Sequence, residues 1–208
     1  MSETKEHWER VYQSKLPDEV SWYQKKPRLS LSLIEHASLS RDAAIIDIGG
    51  GASSLVDHLC DKGYGNVSVL EISANALAHS KSRLGSRAEN VQWYEEDVTH
   101  FEPTRRFALW HDRAVFHFLT DKTDRERYMH TVQQALEPGG HLIIMTFAID
   151  GPKKCSGLDI VQYDADRLVK ETGPGFELLE TGDDFHSTPA GQQQKFAYFH
   201  FRAIQQSS

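Results

Sequence analysis

The stretch IIDIGGGASS, residues 45–54, decides how the chain is read. A run of branched aliphatics, the signature of a short buried strand, passes through Asp47 and stops at Gly49, Gly50 and Gly51. The segment that follows, SSLVDHLCDKGY (53–64), carries helical spacing. A glycine loop between strand and helix lets a ligand approach the backbone closely, and it presents free N–H groups at the helix start. A tight turn that needs glycine only for its geometry is the plainer reading. Three adjacent glycines behind an aspartate favour the ligand.

Working outward, the same alternation repeats. NVSVLEI (66–72), NVQWYEED (90–97), RFALWH (106–111) and HLIIMTFA (141–148) read as strands. Between them, SANALAHSKSRLG (73–85) and DKTDRERYMHTVQQALEPGG (121–140) read as helices, the latter stopped by Pro138-Gly139-Gly140. Alternation of this kind calls for an α/β fold with a doubly wound, mostly parallel sheet, and continuous apolar runs suit strands covered on both faces. After Ala148 the pattern changes to a helix around DADRLVKET (164–172). Two long strands follow, FELLETGDDFHS (176–187) and QKFAYFHFRAI (194–204), joined by the polar turn STPAGQQ. They form a C-terminal antiparallel hairpin and bring the expected strand count to seven.

Composition bounds the rest. The 208 residues suit one domain, divided as an aromatic, helical N-terminal segment (1–40), a core (41–148) and a closing loop, helix and hairpin (149–208). The tail IQQSS and the first few residues are expected to fray. A net charge of −7 argues against a nucleic-acid partner. The charged start MSETKEHWER carries no secretory signal, and no apolar run approaches membrane length. Cys60 and Cys155 make no disulfide framework, and eleven histidines, most expected at the surface, show no metal-ligand spacing. A cytoplasmic protein is expected.

Two ligand classes compete for the glycine loop. A dinucleotide site wants G-x-G-x-x-G, but counting from Gly49 the sixth position is Ser54. The acidic-x-G-x-G pattern of Asp47, Gly49 and Gly51 instead resembles that of class I S-adenosylmethionine-dependent methyltransferases, with Ser53 where the final glycine is usual. A carboxylate there suits a cationic amino-acid group and would repel a pyrophosphate. Glu71 closes the second strand, 22 residues beyond Gly49, where a carboxylate can accept from both ribose hydroxyls. Asp97 follows the third strand. The resemblance implies that Asp97 and the Val98 N–H hold the adenine, that Glu71 and the adjoining Ile72 hold the ribose, and that Asp47 with Gly49, Gly50 and Gly51 holds the methionine portion. The N-terminal Trp8, Tyr12, Trp22 and Tyr23 resemble the aromatic lead-in of small bacterial methyltransferases and of elongation-factor lysine methyltransferases. They read either as a helix packed on the sheet edge or as a lid, with Trp22 shielding the cofactor.

S-Adenosylmethionine carries an activated methyl group, so the protein has mainly to align acceptor and donor and exclude water. S-Adenosylhomocysteine is the product. Acceptor chemistry belongs after the fourth strand, in LWHDRAVFHFL (109–119). There His111 and Asp112 are candidate bases or orienting groups, and Arg113 binds an anion or pins the loop. A structural Asp112–Arg113 pair is the competing reading. Phe116, Phe118 and Leu119 are expected in the core, His117 as a packing residue, and Tyr163 with the loop 153–156 at the edge of the acceptor pocket. A small-molecule acceptor leads, with a protein lysine as the rival within the class. A non-catalytic cofactor-binding regulator and, more distantly, a nicotinamide dehydrogenase stand outside it. The sequence leaves monomer and homodimer equally open.

Overall fold

The structure, a computed structural model, describes residues 2–204, so the expectation of a frayed tail at residues 205–208 lies outside the described residues. Near the other end, Ser2 accepts from the Lys5 N–H and caps a helix, α1 (Glu3–Ser14), in place of the expected fraying. A second helix, α2 (Arg28–His36), starts behind Pro27. The alternating core follows as β1 (Ile45–Ile48), α3 (Leu55–Asp61), β2 (Val67–Glu71), α4 (Ala74–Leu84), β3 (Val91–Glu95), β4 (Phe107–Arg113), α5 (Lys122–Ala135) and β5 (Leu136–Phe147). A short hairpin comes next, β6 (Lys154–Cys155) and β7 (Leu158–Asp159). The chain then continues through α6 (Ala165–Thr172), β8 (Phe176–Ser187) and β9 (Gln193–Ala203).

Seven strands form one sheet in the order β3-β2-β1-β4-β5-β9-β8. The first five are parallel, and β9 runs antiparallel to both β5 and β8. This is the mixed, doubly wound α/β sheet that the alternation requires. Strand order reverses between β1 and β4, and open α/β sheets form their ligand crevice at the C-terminal ends of such a pair. Among the described residues no helix is long and apolar enough to cross a membrane.

Period-two alternation along the strands divides the core between two faces. Ile45, Val67, Val69, Leu109 and Ile143 point to one face, where Leu33 and Ile34 of α2 and Leu55 and Leu59 of α3 cover them. Ile46, Ile48, Leu70, Trp110 and Ile144 point to the other, against Tyr128 and Val132 of α5 and Leu168 of α6. In β1, β2 and β4 both faces are thus buried along nearly the whole strand, whereas β8 at the sheet edge exposes one face through Glu177, Thr181 and Asp183.

Two local readings change. Pro138-Gly139-Gly140 does not end α5, which closes at Ala135. Leu136 pairs at once with Phe107, and the register then jumps to Leu109–His141. The Pro-Gly-Gly triplet therefore forms a bulge inside β5, with Gly139 at φ +76°. The second change concerns residues 153–156, expected as loop. They enter the β6–β7 hairpin, turned by Ser156 (φ 51°) and Gly157 (φ 81°), a pair with the positive φ values of a type I′ turn.

The same parity fixes Asp112. It leaves β4 on the face of Trp110, is fully buried, and accepts from the backbone N–H groups of Val115 (2.9 Å) and Phe116 (3.1 Å) and from the Tyr128 hydroxyl (2.6 Å). Tyr128 in turn accepts from Trp110 Nε1 at 2.9 Å. The chain Trp110–Tyr128–Asp112 tethers the loop after β4 to α5. Replacing Tyr128 by Phe strands a buried indole N–H and removes the shortest of the hydrogen bonds to the buried Asp112 carboxylate. We expect denaturant unfolding of Tyr128→Phe to show a loss of about 1–3 kcal/mol, and an unchanged unfolding midpoint contradicts the tether.

Candidate functional site

At the C-terminal ends of β1 to β4, two adjoining cavities lie beneath α1 and the segment joining it to α2. The larger, about 190 Å³, is lined on the sheet side by Glu71, Ile72, Asp97, Val98, Arg113 and Ala114. Trp8, Tyr12 and Trp22 of the N-terminal segment and Phe118 of the turn after β4 close it. The smaller, about 40 Å³, is bounded by Ser30, Asp47, Gly50, Tyr23 and His111. Tyr12, Trp22, Ile48, Gly49 and Arg113 line both.

The glycine loop is explained by what lies under it. A β-carbon on Gly50 would overlap the Asp47 carboxylate, and one on Gly51 would overlap the Glu71 side chain. Gly49 sits at φ +65° with its α-carbon against Val115. The loop therefore closes over two buried carboxylates, and glycine is the residue that permits the approach.

Glu71, 5% exposed, accepts from the Ser73 N–H at 3.0 Å and from the Gly51 N–H at 3.3 Å. Burial pushes its pKa up to about 7, although the N–H groups of Ser73, Gly51 and Ile72 favour the ionised form. Asp47, 2% exposed, bonds through Oδ1 to His111 Nδ1 at 2.7 Å, while its Oδ2 is buried without a partner. Asp97 is half-buried; its Oδ1 accepts from the Thr99 N–H and hydroxyl, and Val98 beside it is buried. Three acidic side chains from consecutive strand ends thus face one crevice, as the sequence led us to expect.

The residues after β4 divide. His111 lines the smaller cavity and is bound at both ring nitrogens, by Asp47 and by Ser30 Oγ at 2.9 Å. Asp112, considered above as a base, lines neither cavity, because its lone pairs are turned inward to the loop and Tyr128. The competing reading, an Asp112–Arg113 pair, is not seen either, since successive strand residues leave on opposite faces. Arg113 instead donates through Nη1 to the Trp22 carbonyl at 3.0 Å and stacks over Phe196 at 4.8 Å. Its Nε and Nη2 are buried without partners. Ala114 holds φ at 72°, a strained value for a residue with a side chain, at the cavity wall.

His117 is a packing residue, as expected: fully buried, with its pKa forced down to about 3 by burial and by Arg113, and so uncharged. Phe116 is in the core, whereas Phe118 and Leu119 turn toward the larger cavity. Tyr163 packs among Phe116 and its neighbours, away from both cavities, while Cys155 reaches the larger one. Burial raises the Cys155 thiol to about 12, leaving it protonated. The histidines are less superficial than composition suggested. His36, His100 and His130 are exposed, but His111, His117, His186 and His200 are buried.

Two contributors carried no signal in the sequence. Ser30 lies 81 positions from the histidine it contacts. Glu9 of α1 accepts from the Ala74 N–H (2.8 Å), the Asn75 N–H (3.2 Å) and the Ser73 hydroxyl (2.9 Å), so α1 caps the N-terminus of α4 from outside. Trp8 meets Trp22 and Phe118 edge-on at 5.6 and 5.1 Å.

The chain resembles known proteins in sequence and in fold. Residues 45–140 match the family model described as a methyltransferase domain. The chain is 26% identical over 150 residues to the eEF1A lysine and N-terminal methyltransferase of Mus musculus, a match covering 69% of this chain but only 21% of that protein. The chain therefore spans about a fifth of that relative's length. It is 22% identical over 192 residues to the EEF1A lysine methyltransferase 2 of Homo sapiens, covering 85% and 75% of the two chains. Among solved structures, the N-methyltransferase NodS of Bradyrhizobium japonicum in complex with S-adenosyl-L-homocysteine shares the fold, with a TM-score of 0.69, 17% identity and coverage of 95% and 98%. The carboxylate-lined crevice and the glycine loop thus lie in a chain that matches a methyltransferase domain over residues 45–140 and shares the fold of a solved methyltransferase.

Proposed function

We propose that the protein moves a methyl group from S-adenosylmethionine to a small-molecule acceptor, with the cofactor held across both cavities. The observation that carries this reading is the row of acidic residues under the glycine loop. An orphaned buried Asp47 Oδ2 asks for a cationic donor. The Glu71 carboxylate, fixed by two backbone N–H groups, retains lone pairs for two hydroxyls. Asp97 with the Val98 N–H offers one acceptor and one donor to a base edge, and Ile72 supplies an apolar wall. These groups fit the amino-acid, ribose and adenine parts of the cofactor in that order along the crevice.

When bound, the cofactor supplies a methyl group on a sulfonium. The chain's own part is to bind, orient and exclude water. Trp22, Tyr12, Trp8 and Phe118 form the aromatic cover, and an aromatic face next to a sulfonium is stabilising. Arg113 pins the cover through the Trp22 carbonyl. Asp112 holds the loop on which Ala114 and Val115 meet the crevice and is given no part in proton transfer. His111 is engaged at both nitrogens, so its part is to orient Asp47 and not to act as a base.

A small cavity closed by four aromatic rings favours a small acceptor. A protein lysine is the second reading, supported by the names of the two relatives above and by the similar aromatic lead-in. Free Cys60 and Cys155 suit a cytoplasmic setting. Incubation of the protein and tritiated cofactor with a cell lysate, followed by size separation, tests the choice. Label in the small-molecule fraction is expected, and label confined to a protein band transfers the assignment to the second reading.

Glu71 also makes binding depend on pH. Its pKa is raised in the folded protein, so the native state holds a proton between about 4.5 and 7 that the unfolded chain has released. Stability attributable to this group therefore falls as pH rises through that window and is constant above it. Hydroxyl donors favour the ionised form, so affinity for S-adenosylhomocysteine should rise with pH up to about 7 and then level off. Calorimetry at several pH values should show this in the wild type and a flat profile in Glu71→Gln; matching profiles in the two proteins argue against the assignment.

Trp22→Ala separates lid from packing. We expect at least a tenfold loss in S-adenosylhomocysteine affinity with a melting temperature within a few degrees of wild type. Retained affinity with a large drop in melting temperature reverses the conclusion.

A further inference from the structure

We infer that Ser30 and His111 are positioning residues, forming with Asp47 a buried chain that builds an ammonium subsite in the crevice; this rests on the cofactor assignment above. The geometry is continuous. Asp47 and His111 are direct partners in the β1–β4 register, and their side chains leave the two strands on the same face. Asp47 Oδ1 lies 2.7 Å from His111 Nδ1, and His111 Nε2 lies 2.9 Å from Ser30 Oγ. All three residues are at most 2% exposed. Ser30 Oγ also packs 3.5 Å from Met145 Sδ of β5, a contact that leaves its one hydroxyl proton for His111 Nε2.

A carboxylate accepts only, so His111 Nδ1 carries the proton toward Asp47. Ser30 then fixes the ring from its far side, as a partner on the second nitrogen fixes an imidazole elsewhere. The consequence falls on Asp47. With Oδ1 committed to His111 its carboxylate cannot rotate, and Oδ2 is left as a single directed acceptor beside Gly50, buried and without a partner. A buried carboxylate oxygen in that state requires a donor, and a cationic N–H donor answers both the hydrogen bond and the charge. Arg113 also borders this cavity but makes no ion pair with Asp47. Its Nη1 is held by the Trp22 carbonyl and its Nε and Nη2 are buried without partners, so Oδ2 is left for a ligand's ammonium. The subsite is thus specific for an α-ammonium, and it gains its precision from α2, an element outside the glycine-loop motif.

The test compares two probes that share the thioadenosine part. S-Adenosylhomocysteine carries the α-ammonium; 5′-methylthioadenosine does not. In calorimetry, His111→Phe should lose at least tenfold in affinity for S-adenosylhomocysteine while binding 5′-methylthioadenosine within twofold of wild type. His111→Asn, which keeps a donor near the Nδ1 position, should recover most of the loss. Ser30→Ala, the gentler change, should lose three- to tenfold with the same selectivity, and it decides the matter if His111→Phe does not fold. Equal losses for both probes mean a merely structural role, and unchanged affinity for both means no role; either overturns the inference. Asp47→Asn distinguishes the two levels. If it binds both probes like wild type, the cofactor assignment of Asp47 fails. If it alone shows the selective loss, that assignment stands and the positioning chain fails.

Discussion

Two carboxylates buried under a backbone loop are the constraint from which the rest of this structure follows. Asp47 and Glu71 end neighbouring parallel strands, each almost fully removed from water. A carboxylate in that position is costly unless it is hydrogen-bonded or given a cationic partner. The chain satisfies Glu71 with backbone N–H groups from the loop and from the start of α4, and half of Asp47 with an imidazole. Meeting these demands brings the loop so close that side chains at 50 and 51 are excluded. The run of glycines is thus the steric record of where negative charge has been stored.

That storage explains the division between the two ends of the sheet. Along their lengths the central strands β1, β2 and β4 bury apolar side chains on both faces, and the polar residues of the crevice collect where those strands stop. The reversal of strand order between β1 and β4 opens the crevice beside them. The N-terminal segment then covers it with aromatic rings, held at one side by Glu9 on α4 and at the other by Arg113 on the Trp22 carbonyl.

Much of this was legible in the sequence, for identifiable reasons. Buried parallel strands must be continuous apolar runs, and IIDI, VSVLE and FALWHDR announce themselves that way. Asp47, Glu71 and Asp97 were visible because carboxylates just after such runs are conspicuous. Less legible was anything decided by contact across the chain. Ser30 gives no local sign of its partnership with His111, and Glu9 looks like any charged residue of an amphipathic helix. Asp112 shows a subtler loss. Its type and position suggested chemistry, yet the parity of β4, which puts Trp110 against α5, already places Asp112 on that same inward face. The Ser156-Gly157 turn was a readable hairpin signal, and Pro138-Gly139-Gly140 looks alike whether it ends a helix or bulges a strand.

The clasp between Glu9 and α4 has a mechanical consequence. The two backbone N–H groups that Glu9 satisfies belong to the helix whose leading turn also anchors Glu71. Lifting α1 returns those N–H groups to water and removes an external cap, a change of about 0.5–2 kcal/mol. The covering helix and the Glu71 carboxylate thereby share one anchor at the start of α4. Any movement that lifts the first helix therefore also loosens the turn that holds Glu71.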